Sequence, residues 1–386
     1  MNLRISGLLA VAAFVVACLL GSAQTLARNA YITNGSSNNV SVIDTTANTV
    51  IATIPVGSEP SGVAVSPDGS KVYVVDQFAD TVSVITTATN TVSATIPVGN
   101  QPVGVAVSPD GSEVYVTNLG FNTTDPTANT VSVIATASNT VTVTIPVGIS
   151  PNGVAVSPDG SEVYVTNGGS GSVSVIATAT NMVTATIPIG TPGPSPLPIG
   201  VAVTPDGNEV YVTDANNNTV SVITTATKMV SATIPVGTYP QGVAASPDNR
   251  KVYVANSDSH TVSVIDTMAN TVIATIPVGA APIGVAMTPD GGKVYVANHL
   301  SNSVSVIATA SKTVIETIPV GAAPYAFGVF IQPAPKFAGT PGKTNCYGQS
   351  VSALVVQFGG LARAAAALEF SSVGALQNAV LAFCGG

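Results

Sequence analysis

The chain has 386 residues, of which 46% are apolar and only 8% charged, and carries a formal net charge of −8. Its arginines are Arg4, Arg28, Arg250 and Arg363 and its lysines form no cluster, so it lacks the basic footprint that counterion release demands; nucleic acid is excluded, and anionic membrane surfaces are poor partners. Beyond the N-terminus no apolar run approaches the roughly 18–20 residues that span a bilayer, so the low charge points to a β-protein surfaced with Ser, Thr and Asn.

In chain order the first element is a leader. A basic start at Arg4, an apolar stretch over residues 5–20 and the small residues of "GSAQTLA" predict a signal peptide over 1–23, with cleavage as late as residue 27. The product would be periplasmic, secreted or displayed at the cell surface. A competing reading takes "VVAC" (15–18) as a lipobox and Cys18 as a lipidated first residue, although Leu19 and Leu20 fit that poorly. Either way Cys346 and Cys384 remain, and two cysteines in an exported chain read as one disulfide in an oxidising compartment.

From Tyr31 onward one unit is written seven times. The tyrosines of YITN, YVVD, YVTN, YVTN, YVTD, YVAN and YVAN stand at 31, 73, 115, 164, 211, 253 and 295, at intervals of 42, 42, 49, 47, 42 and 42. Between them run "TVSVI", "TATIPVG" and "GVAVSPDG" or close variants, all alternating or β-branched and all bounded by turn chemistry. In "SPDG" the proline presets the turn, Asp tolerates its third position and Gly supplies the positive φ that follows. Four short strands in about 42 residues, repeated seven times, predict an all-β, seven-bladed propeller over residues 30–333. The last inner strand is supplied by "GVFIQP" (328–333), so pairing of residues 30–34 with 328–332 would close the ring and leave no open edge.

These motifs resemble the YVTN-repeat β-propellers of microbial surface-layer and exported proteins, with mild departures such as Val75-Asp76 for Thr-Asn and Asn249 for the turn glycine. The resemblance implies seven blades and export, and no single activity. The repeated residues themselves are read as structure. Asn34, Asp76, Asn118, Asn167, Asp214, Asn256 and Asn298 would form a ring near one face, capping turns by bonding the backbone two residues on, with a calcium-like oxygen cage as the rival reading.

Function is sought where the repeats break. The extra length lies in "NLGFNTTDPTANT" (118–130), a second-to-third-strand loop, and in "GTPGPSPLPIG" (190–200), a blade-to-blade loop. Both belong to the same face, and inserted loops on a rigid scaffold commonly bind. Phe121, Asn122, Asp125, Pro192, Pro194 and Pro196 are the binding-face candidates. The two histidines, His260 and His299, fall on that face too and with Asp258 are weak metal candidates, lacking a third strong ligand or a helical spacing. There is no C-x-x-C-H, no tryptophan, no phosphate-binding glycine loop and no G-x-S-x-G elbow. The inner strands offer mostly Gly, Val and Ala to the channel, thin material for acid–base work.

The chain ends in a Pro/Gly linker (334–345) and a tail (346–386) whose pattern predicts three short helices bracketed by a Cys346–Cys384 bridge. The reading as a whole is an exported, non-catalytic scaffold that meets a protein or glycan of the envelope through the face of the two long loops. No catalytic residue and no cofactor is assigned. The alternatives are a lactonase-like propeller hydrolase using a divalent cation, and a self-associating structural component of the envelope.

Overall fold

β-Branched residues at alternate positions, interrupted every few residues by Asn, Pro-Asp-Gly or Thr-rich corners, leave each unit little choice but an antiparallel meander. A computed structural model of the protein describes residues 28–120, 126–190, 195–333, 361, 365 and 373–384. In the second blade β4 (Pro60–Val65), β5 (Lys71–Asp76), β6 (Thr81–Thr86) and β7 (Thr91–Pro97) pair in that order from the channel outward. Five further four-stranded sheets repeat the arrangement over residues 102–146, 151–188, 198–235, 240–277 and 282–319. The first sheet holds three strands, β1 (Asn29–Asn34), β2 (Asn39–Asp44) and β3 (Thr49–Pro55).

Residues near the C-terminal end of the ring complete that first blade. Ala30 pairs with Ile331 and Asn34 with Pro324, while the Tyr31 N–H donates to Phe330 O at 2.9 Å. The lower half of this seam follows the sequence expectation; the upper half departs from it. Pro60 and Val65 of β4 are five residues apart and pair with Asp76 and Val72, whereas Pro324 and Ile331 are seven apart across the same span of β1. The two surplus residues bulge at Ala326 (φ 48°) and Gly328 (φ 128°). From this bulge Phe327 O and Val329 O accept the N–H groups of Val63 and Val65 on the neighbouring blade, at 3.0 and 2.9 Å.

The repeated tyrosine has a role beyond packing. All seven are fully buried, each removing on the order of 2 kcal/mol worth of apolar surface from water. Several also bond the next blade: Tyr31 Oη donates to Asn90 Oδ1 at 3.3 Å and Tyr295 Oη to Asn48 Oδ1 at 2.6 Å. Asn48 and Asn90 sit at φ 54° and 50°, in the left-handed conformation that closes the third-to-fourth-strand turn. In the first, fifth and seventh blades the motif tyrosine therefore grips the corner of the next blade. In the fifth blade Lys228 takes the corner position and pairs with Glu162 and the Tyr164 hydroxyl instead.

The inner-strand glycines set how closely the blades meet. A Cβ on Gly62, Gly104, Gly200 or Gly242 would lie 2.1–2.3 Å from a carbonyl oxygen of the adjoining inner strand, so only glycine allows this approach. The lower turns obey their sequence signature, with Gly69, Gly111, Gly160, Gly207 and Gly291 at φ 72–76° and Asn249 substituting at φ 59°. In the tail the described residues give one helix, α1 (Val373–Cys384), where three were expected. Cys346 and the Cys384 side chain lie outside the described residues, as do the signal peptide and the linker. No helix among the described residues is long and apolar enough to cross a membrane.

Candidate functional site

The upper face of the ring is the end at which every second strand stops at Asn or Asp and every blade-to-blade connection begins. Strand direction puts both long loops there: one follows Asn118, opposite Pro102, and the other leads into Pro198, opposite Asp214. In ring order the first tops the third blade and the second joins the fourth to the fifth. Ile149, in the connection between the third and fourth blades, lies between them and is exposed.

The bases of both loops are held by specific bonds. The Gly120 N–H donates to Asn100 O at 3.2 Å and the Asn100 N–H to Thr127 Oγ1 at 3.1 Å. Gly120 adopts φ 55°, and a Cβ there would meet Ala128 at 2.2 Å. In the second loop the Leu197 N–H donates to Asp214 Oδ1 at 3.0 Å and Asn216 Nδ2 to Ser195 O at 2.9 Å. Pro196 packs between Gly171 and Gly190. Of the other binding-face candidates, Phe121, Asn122, Asp125, Pro192 and Pro194 lie outside the described residues.

The Asn/Asp ring is buried and turned into its own blades, which corrects the expectation of turn caps bonding two residues on. Asn34 Nδ2 donates to Ser41 Oγ, Asn118 Nδ2 to Ser132 Oγ and Asn298 Nδ2 to Ser305 Oγ, all at 2.9–3.0 Å. Asp76 reverses the polarity: Ser83 and Thr81 donate to its carboxylate at 2.7 and 3.2 Å. Burial pushes the Asp76 carboxyl up to about 6 against those stabilising bonds. A glycine of the "IPVG" corner lies against this ring; a Cβ on Gly57 would fall 2.5 Å from the Asp76 side chain, and one on Gly99 2.5 Å from Asn118. The amide nitrogens are thus held by the blades, while the Oδ1 atoms of Asn34, Asp76, Asn118, Asn167, Asn256 and Asn298 are buried without a hydrogen-bond partner among the described residues.

His260 stands at φ 55°, at the end of the second-to-third-strand corner. Asn38, Asp80, Asn129, Asn218 and Asn302 occupy the same place, and each side-chain oxygen accepts the backbone N–H twenty-one residues on, at 2.7–2.9 Å. His260 Nδ1 does likewise, 3.1 Å from the Ala281 nitrogen, and also lies 2.9 Å from Ser257 O. Its nitrogen thus joins hairpin to blade connection as the asparagines do. His299 packs edge-on to Tyr325 with ring centroids 6.2 Å apart, and Asp258 is exposed. Among the described residues no three of His, Cys, Asp or Glu gather as a metal-holding group, so Asp258, His260 and His299 do not form one.

Two features carry no motif that sequence reasoning singled out. Phe78 and Leu300 add exposed apolar side chains to the upper-face corners of the second and seventh blades. On the ring's flank Ile51, Ile273 and Ile315 are exposed in outer strands of the first, sixth and seventh blades. The other four blades place Ser93, Thr142, Thr184 and Ser231 at that position, each donating to a third-strand carbonyl at 3.1–3.3 Å. Aligning the seven outer strands would have shown the three isoleucines on consecutive blades.

Comparison with known proteins agrees with the architecture. A family described as YNCE-like beta-propeller matches residues 16–113, and the NHL repeat matches 197–223 and 238–265. Among solved structures the chain is similar to Kuenenia stuttgartiensis hydrazine synthase, at 27% identity and a TM-score of 0.66, covering 72% of this chain and 92% of that one. A functionally unknown protein from Desulfotomaculum acetoxidans superposes with a TM-score of 0.66 at 18% identity over 78% of this chain and 99% of its own, a likeness of fold. Over 39 residues the chain is 62% identical to the PE-PGRS family protein PE_PGRS18 of Mycobacterium tuberculosis, 10% of this chain and 8% of that protein's length.

Proposed function

We propose that the protein is an exported interaction scaffold of the YVTN-repeat type, binding a protein or glycan partner on the upper face of its third to fifth blades. The observation that carries this reading is the placement of both long loops on one face of an otherwise uniform ring, with exposed Ile149 between them. A rigid frame with added length and an apolar anchor at one place is the arrangement on which recognition loops are built. The match to NHL repeats supports it, since such propellers commonly mediate protein interactions. The amide nitrogens of the Asn/Asp ring are engaged in their own blades and His260 in its corner.

Export rests on the leader pattern of residues 1–23, and a Cys346–Cys384 bridge would suit an oxidising compartment. A second reading, a component of an enzyme, draws on the likeness to hydrazine synthase. Chemical cross-linking in the native host separates the two. The scaffold reading expects one partner captured by the wild type and lost when Ile149→Ser is combined with shortening of the 118–130 loop, at unchanged melting temperature. Equal capture by that variant would overturn the upper-face assignment. A stoichiometric added mass in native mass spectrometry, bound at Asp258 or His260, would favour the enzyme.

A further inference from the structure

Where the third-to-fourth-strand turn of one blade meets the motif tyrosine of the blade before it, two joints hold a lysine ammonium. Lys228 enters from the turn of the fifth blade: its ammonium pairs with Glu162, donates to Tyr164 Oη at 3.1 Å and stands 5.4 Å from the centroid of the Tyr164 ring. Lys293 enters from the opposite wall, the second strand of the seventh blade. It donates to Thr45 O at 2.7 Å and to Asn48 Oδ1 at 3.1 Å, beside the Tyr295 hydroxyl. Lys71 in the second blade, and Lys251 with Lys312 at the sixth joint, stand at matching positions, so four of the seven joints carry a lysine.

The joint between the third and fourth blades keeps the acceptors and has no lysine. Glu113 and Tyr115 stand where Glu162 and Tyr164 do, and Asn181 stands where Lys228 does. Tyr115 Oη donates to Glu113 Oε2 at 2.6 Å, as Tyr164 Oη does to Glu162. Asn181 Oδ1, the counterpart of the oxygen that Lys293 bonds, is buried with no hydrogen-bond partner among the described residues. A cleft of about 590 Å³ opens here on the lower face, walled by Glu113, Tyr115, Asp110, Asp159, Thr178 and Ala179. No basic side chain lines it. The Ser108 and Ser157 hydroxyls, with donors from Ser112 and Ser161, hold the Asp110 and Asp159 carboxyls down at about 2, so both are anions. In the fifth blade Glu209 repeats the pattern, but there Tyr211 Oη is shared between Glu209 Oε2 at 2.8 Å and Asn270 Oδ1 at 3.5 Å.

We propose that this cleft binds the primary ammonium group of a ligand, a lysine side chain of a partner or a free diamine, in the place that Lys228 fills one blade on. An ammonium has three donors to place and is attracted to an aromatic face, and the Glu113 carboxylate, the Tyr115 oxygen and the Tyr115 ring offer both. Asp110 and Asp159 add the negative potential that draws a cation in. The same set suits calcium poorly. That ion takes about six to eight oxygens, and among the described residues no three of His, Cys, Asp or Glu gather to hold a metal. The cleft lies on the face opposite the two long loops, so this site is independent of the upper-face reading.

The test is saturation-transfer difference NMR on the full chain at about 0.15 M salt, where exposed charges beyond roughly 8 Å are screened. Two probes are titrated separately: cadaverine, and lysine capped as its acetyl and methylamide derivative. Saturable binding is expected, tighter for the capped lysine if the source is a protein partner and tighter for cadaverine if it is a free diamine. Glu113→Gln should weaken it by roughly fivefold, the worth of one exposed ion pair. Asn181→Lys supplies an internal ammonium as Lys228 does and should abolish it. Glu316→Gln, which removes an exposed charge from an outer strand, should bind as the wild type does. Absence of saturable binding, binding unchanged in either cleft variant, or an equal loss in Glu316→Gln overturns the proposal, as does displacement of the amine by equimolar calcium. Lys228 and Lys312 already adopt the left-handed conformation of Asn181, at φ 55° and 56° against 53°, so Asn181→Lys should fold; were it not to, Glu113→Gln decides alone.

Discussion

Ser83 Oγ donates to the Asp76 carboxylate at 2.7 Å inside the second blade, where Asn34, Asn118, Asn167, Asn256 and Asn298 instead donate to the matching serine of their own blades. The hydroxyl rotates to serve either partner, so the repeat accepts Asp or Asn at this place. What differs is the charge. Burial lifts the Asp76 carboxyl from its ordinary 3.8 to about 6, so the folded chain holds a proton there that the unfolded chain has already released. Between about pH 4 and 6 the native state therefore binds more protons than the unfolded state. Stability contributed at this site is full below about pH 4 and falls as pH rises through about 6.

The corresponding prediction concerns Asp76→Asn. At pH 8 the substitution should stabilise the protein by on the order of 2–3 kcal/mol, the free energy of a two-unit shift. The gain should shrink through pH 6 and vanish near pH 4. Denaturant melts of the two proteins at pH 4, 6 and 8 check this. A difference that is constant with pH would mean that the carboxylate is solvated in the native state.

The second prediction separates cap from ligand at His260. Its Nδ1 takes the Ala281 N–H from a residue at φ 55°, a task five sister blades give to Asn or Asp. His260→Asn should match or exceed the wild-type melting temperature. His260→Ala loses the acceptor and places an ordinary side chain in the left-handed region, at a cost of about 1–2 kcal/mol. Addition of zinc or calcium should shift the wild type and His260→Asn alike. A metal-dependent rise seen only with His260 would restore the metal reading.

How much of this was legible can be traced residue by residue. The blades were readable because each one depends on local chemistry: a proline, an aspartate and a glycine make the lower turn, and β-branched alternation makes the strands. The Tyr–Asn grip between blades was not, since Tyr31 and Asn90 are 59 residues apart and nothing in their own windows links them. The ring closure was half legible. "GVFIQP" imitates the repeat closely enough to place Ile331, but the proline that completes the pairing is Pro324, hidden by two surplus residues. At the candidate site, the face of the two loops followed from strand direction alone. The histidine's role did not, because its equivalence to Asn38 and Asn302 appears only when the hydrogen bonds across twenty-one residues are compared. The inner strands were legible as Gly, Val and Ala, but the backbone edges they turn to the channel follow only from the strand order.

The third prediction uses two tyrosines of the same motif as each other's control. Tyr295 Oη reaches across the seam between the seventh and first blades, donating to Asn48 Oδ1 at 2.6 Å beside Thr45 O at 3.2 Å. Tyr253, in the sixth blade, is equally buried, but its hydroxyl has no partner among the described residues. Both rings pack the same way, so replacement by phenylalanine leaves the packing and removes only the hydroxyl. Tyr295→Phe should cost about 1 kcal/mol, the net value of a buried hydrogen bond, and no more, because Asn48 Oδ1 keeps the Lys293 ammonium as a donor at 3.1 Å. Tyr253→Phe removes a buried polar group that gains nothing from its surroundings, and should be neutral or stabilising. Equilibrium unfolding in urea, with the slope of the transition unchanged, measures both. Equal costs for the two substitutions would show that the inter-blade bond contributes nothing beyond the ring's own burial.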